Sequence, residues 1–129
     1  MIAEKKHLSD LHVAHSDWAV QLNFYTDEIK ILQGRLGEIS AISTDASQKV
    51  KVGHFESQLI IQQNELDVLL HDIQVEEDTL VQSALDNPVA VDHRLMTYDV
   101  TLEDRITTFS TLFTDLRKEM NDFFVDVLA

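Results

Sequence analysis

An all-α fold is what this sequence predicts: an antiparallel up-down-up bundle of three long helices with coiled-coil-like heptad packing. Three observations predict it. Apolar residues recur at alternating steps of three and four in three long segments, which marks helices with one buried stripe each. Only three glycines and one proline interrupt 129 residues, too few for a turn-rich β fold. The helix-breaking signals cluster at two places, Ser43-Thr44-Asp45 and Asn87-Pro88, so the chain divides into three segments.

The first stripe is Leu8, Leu11, His15, Trp18, Leu22, Tyr25, Ile29, Leu32, Leu36 and Ile39, which places helix one at about 4–41. Asp45, with Gln48 three residues on, offers a capping box for helix two, expected over 45–86. Val52, Phe55, Leu59, Gln62, Leu66, Leu69, Ile73, Glu76, Leu80 and Ser83 form its stripe, and Pro88 ends it by pushing Asn87 out of the α region. Helix three carries Leu102, Ile106, Phe109, Phe113, Leu116, Met120, Phe123 and Val127 and runs to about residue 128. Its start falls between Asp92 and Thr101. The stripe slips there, and Val89 to Val100 reads as an irregular strap. No segment reads as a strand.

A chain of this length fits one domain, 1–129. The first residues lack the apolar core of a signal peptide, no apolar run approaches the ~20 residues that span a bilayer, and there is no cysteine; a cytoplasmic setting is expected. The net charge of −13 is uneven, for Val52 to His93 contains no Lys or Arg. Such a surface repels phosphate backbones and anionic membranes, which argues against nucleic-acid and membrane binding; it suits solubility, a basic partner or divalent cations.

Polar residues within the stripes need partners, because an unpaired buried polar group costs about 1–3 kcal/mol. Folding helix two back on helix one sets Gln62 beside Tyr25, where a hydrogen bond would fix the register, and Glu76 within reach of His15. Five of the six histidines, His7, His12, His15, His71 and His93, should gather in one half of the bundle. His12, His15, His71 and Glu76, completed by Asp99 or Glu103, are therefore candidate ligands for Zn, Fe or Mn between helices one and two. His54 reads as structural.

Against a catalytic metal, the paired Glu-x-x-His motifs of ferritin-like bundles and the His-Glu-x-x-His of zinc proteases are absent. No Gly-rich loop follows a strand, and Ser16 beside His15 points around a helix rather than toward one convergent point. The expectation is a non-enzymatic protein without a cofactor, acting through protein–protein contacts, with the metal-binding bundle as the alternative. Ile61, Val68 and Val75 recur at steps of seven off the main stripe of helix two, as Phe24 and Ile31 do on helix one; these residues either widen the core or form a homodimer face.

Leu11-His12, Trp18, Phe24-Tyr25, Glu28, His54-Phe55, Gln62, His71-Asp72 and Pro88, in that order, resemble a family of small bacterial all-helical proteins with no established activity. The resemblance spans nearly the whole chain and implies a bacterial, cytoplasmic bundle. Trp18 in a first helix, followed by two more heptad-bearing helices, is also similar to a spectrin-type repeat, from which the longer helices here depart.

Overall fold

The computed structural model describes residues 3–91 and 94–128, apart from the side chains of Ala3, Glu4 and Asp99. Three helices, α1 (Leu8–Ile42), α2 (Ala46–Asp86) and α3 (Val100–Leu128), pack against one another in an all-α bundle. At ~1.5 Å per residue the 41 residues of α2 extend about 60 Å. The apolar stripes read from the sequence are the ones that are buried: on α1 every member except half-exposed Trp18, on α2 every member except half-buried Gln62, Glu76 and Ser83, and on α3 every member except Val127. Contacts advance together along α1 and α3, from Tyr25 with Ser110 to Glu28 with Arg117. Between α2 and α3 they run in opposite senses, from Phe55 with Phe123 to Asp72 with Arg105.

Two short strands correct the expectation that no segment forms a strand. β1 (Ala3–His7) pairs antiparallel with β2 (Leu95–Asp99), in a register that sets Lys5 opposite Thr97 and His7 opposite Leu95. Helix one consequently starts at Leu8, four residues later than the sequence suggests, and its first N–H donates to the Arg94 carbonyl at 2.8 Å. The supposed irregular strap contains β2, and α3 begins at Val100, inside the expected window. Alternation explains β2: Tyr98 is buried and Met96 half-buried, while Leu95 and Thr97 face outward. Together with Leu8, Leu11 and Leu80, Tyr98 builds a small second core under the ribbon. Lys6 lies 4.9 Å from the Tyr98 ring centroid.

The helix ends are held locally. Asp45 caps α2, its carboxylate accepting from the Ser47 N–H and hydroxyl at 2.7 Å and from the Gln48 N–H at 3.3 Å. These bonds, the Ser47 hydroxyl first, hold the Asp45 carboxyl below its ordinary range. The side chain of Gln48 accepts from the Ser43 hydroxyl at 2.7 Å, bridging the turn. At the far end of α2, which has no basic residue in its last turn, the Arg94 guanidinium reaches back to the Ser83, Asn87 and Val89 carbonyls. A cation from the next segment thus covers the negative end of the helix. Ala90, in that connection, has a φ of 51°.

The main core surrounds Phe113, fully buried, whose ring centroid lies 5.0 Å from Tyr25 and 6.0 Å from Phe109. The Tyr25 hydroxyl leaves this core toward α3: it donates to Ser110 Oγ at 3.3 Å and accepts from Gln21 Nε2 at 3.0 Å. The expected Tyr25–Gln62 bond is therefore not formed. Gln62 does turn inward, but its side-chain oxygen is buried without a hydrogen-bond partner.

Candidate functional site

Two features of the molecule exceed what holding the bundle together requires: a carboxylate shared by two histidines, and apolar stripes that the bundle leaves outside. The first joins α1 to α2 near the ribbon. His12 and His15 stand three apart on one face of α1, and each places its Nδ1 on one oxygen of Glu77, at 2.6 Å for His15. An ionised carboxylate only accepts, so each imidazole carries its proton on Nδ1 in this pairing. His15 is buried with its ring 5.7 Å from that of Trp18, whereas His12 is exposed. Glu77 thereby satisfies the polar residue that interrupts the α1 stripe.

The carboxylate that meets His15 is Glu77, then, and not Glu76. The sequence allowed both, since Ile73-Glu76-Leu80 and Ile73-Glu77-Leu80 are equally steps of three and four. One residue is a rotation of ~100° about a helix, and α1 lies on the Glu77 side. His71 is exposed, Glu76 half-buried, and Glu103 half-buried in the first turn of α3; none of the three joins His12 and His15. The side chain of Asp99 and all of His93 lie outside the described residues. Among the described residues no group of three or more His, Asp and Glu is arranged to hold a metal ion. His54 is exposed, its ring tilted at 5.5 Å against Phe55.

The second feature consists of two faces. The stripes off the main seams do not widen the core: Ile61, Val68 and Val75 on α2 are 55%, 47% and 49% exposed, and Phe24 and Ile31 on α1 are 60% and 55% exposed. Phe24 and Ile31 border a groove between α1 and α3 that continues past Arg35 and Asn121 into an open hollow of about 450 Å³, where Ile42, Val125 and Leu128 are also exposed. Charge is mixed along this groove. Arg117 there sits within 2.8 and 2.6 Å of both Glu28 oxygens, and Arg35 and Glu38 line the hollow beyond. The other face lies between α2 and α3, where Ile61, Glu65, Phe109 and Leu112 line a hollow of about 460 Å³ above Gln62.

No helix among the described residues is long and apolar enough to cross a membrane. No family model, curated protein or solved structure matches the chain.

Proposed function

We propose that this protein works by protein–protein contact rather than by catalysis, and that it pairs with a second copy of itself along the α1/α3 groove. The observation that carries this reading is the number of exposed apolar side chains along that face, Phe24 and Ile31 at one end and Ile42, Val125 and Leu128 at the other, with Arg35 and Asn121 between them. An apolar strip of this extent is costly to leave in water, and a copy of the same strip covers it. The charges are compatible with self-contact, because Arg35 and Glu38, three apart on α1, would meet their opposites in a copy related by a two-fold axis passing between them. Ile61, Val68 and Val75 are the other candidate dimer face, but there two copies would set acidic helix against acidic helix, with no Lys or Arg on α2 from Val52 to Asp86 and with Arg105 of α3 already engaged by Asp72.

Sedimentation velocity across a concentration series tests the proposal. A dimer is expected, and the double variant Phe24→Ser, Ile31→Ser should shift it to monomer while its circular dichroism stays helical. A wild-type protein that remains monomeric at the highest concentration overturns the reading, and so does a double variant that dimerises unchanged. The metal-binding alternative draws no comparable support, since His12 and His15 direct their Nδ1 atoms at Glu77 while His71 and Glu76 stand apart.

A further inference from the structure

The α2/α3 face has a different character from the α1/α3 groove, and that difference identifies a second kind of partner. Ile61, Glu65, Val68, Asp72 and Val75 follow one another at steps of four and three, so α2 carries a complete second seam in which apolar and acidic residues alternate. The three apolar members are about half exposed. Across the hollow from Ile61, α3 contributes Leu112, also exposed, and Thr108. Ile61 and Leu112 line the hollow, and Val68 and Val75 continue the exposed stripe beyond it along α2 at steps of seven, the spacing an amphipathic helix meets with its own heptad positions.

Charge decides which helix. We infer that the α2/α3 groove docks a basic amphipathic helix of a partner protein, with its apolar residues on Ile61, Val68, Val75 and Leu112 and its Lys or Arg residues on the acidic side chains of α2. Arg105 of this chain already shows what the carboxylates accept: its guanidinium lies 2.8 Å from Asp72 and 3.7 Å from Glu65, spanning the seam from α3. One guanidinium leaves the face negative, because Glu76 follows Asp72 by one turn, Asp104 lines the same hollow from α3, and α2 carries no Lys or Arg from Val52 to Asp86. A second copy presents an acidic α2 of its own and is the wrong occupant. The inference rests on the reading of the protein as a contact module, but it concerns a separate face.

The test uses two synthetic peptides of about three heptads, each with Leu at the core positions, one with Lys and one with Glu at the rest. Each is titrated into the isotopically labelled full chain, with binding read by fluorescence anisotropy and located by amide chemical shifts. The Lys peptide should bind, move the amides of Ile61 to Val75 and Thr101 to Leu112, and weaken at least about tenfold between low and high salt. The triple variant Ile61→Ser, Val68→Ser, Val75→Ser keeps every charge and, with its fold checked by circular dichroism, should also bind at least about tenfold more weakly, ~1.4 kcal/mol. Equal binding of the Glu peptide, unchanged binding by the triple variant, or shifts confined to the α1/α3 groove would each overturn the inference. Sedimentation of the same samples separates the two proposals: a dimer that ignores the Lys peptide refutes this one alone, and a monomer that binds it refutes only self-pairing.

Discussion

Replacing Leu66 by Ala would test the packing of the bundle at its most sheltered point. Leu66 is fully buried on α2, one member of a core in which Leu59, Leu69, Leu36 and Phe113 are also sealed from solvent. The substitution removes three carbon groups at about 0.8 kcal/mol each, roughly 2.4 kcal/mol of lost transfer free energy. Three long helices held on both sides of the site cannot collapse fully into the space, so a residual cavity adds up to about 2 kcal/mol, and the expected total is about 2.5–4.5 kcal/mol. With a urea slope of about 2 kcal/mol per molar, the unfolding midpoint should fall by about 1.2–2.2 M, read by circular dichroism. Val68→Ala, two residues away but about half exposed, is the internal control, with an expected loss below ~1 kcal/mol. A loss below ~1 kcal/mol for Leu66→Ala, or equal losses for the two variants, would refute the assignment of this seam to the core.

Three further predictions follow from local geometry. Glu77→Ala leaves the buried His15 imidazole without its acceptor and should cost about 1–3 kcal/mol in chemical denaturation, whereas Glu76→Ala should cost less than half as much. Asp45→Ala should lower the melting temperature at neutral pH. Because its folded-state pKa is depressed, the contribution of Asp45 is present above the ordinary carboxylate range and is lost as pH falls through the folded value, so the wild-type and variant melting curves should converge in acid. Ala90→Gly should raise stability by up to ~1 kcal/mol, because Ala90 has the positive φ that glycine adopts without steric cost; a destabilised variant would contradict this.

The three helices, the turn at Ser43 to Asp45 and the stop at Pro88 follow from spacing and capping chemistry that act within a few residues, and so the sequence by itself determined them. Burial of a three-four stripe is likewise a local pattern, which is why the cores of α1 and α3 coincide with their predicted seams. Other features depended on where distant segments meet. β1 and β2 pair across some ninety residues of chain; nothing in Ala3 to His7 marks a strand, and in Leu95-Met96-Thr97-Tyr98 the exposed Leu95 breaks the apolar alternation that would mark one. Glu76 and Glu77 fit the stripe equally, and only the side on which α1 lies selects Glu77 for His15. The fold-back at Ser43 suggested Gln62 as the partner of Tyr25, but the placement of α3 gives its hydroxyl Ser110, and the Gln62 oxygen stays buried without a partner. Whether Ile61, Val68 and Val75 were core or surface was open for the same reason: a heptad stripe states that a face is apolar, while the placement of the third helix decides whether that face is covered.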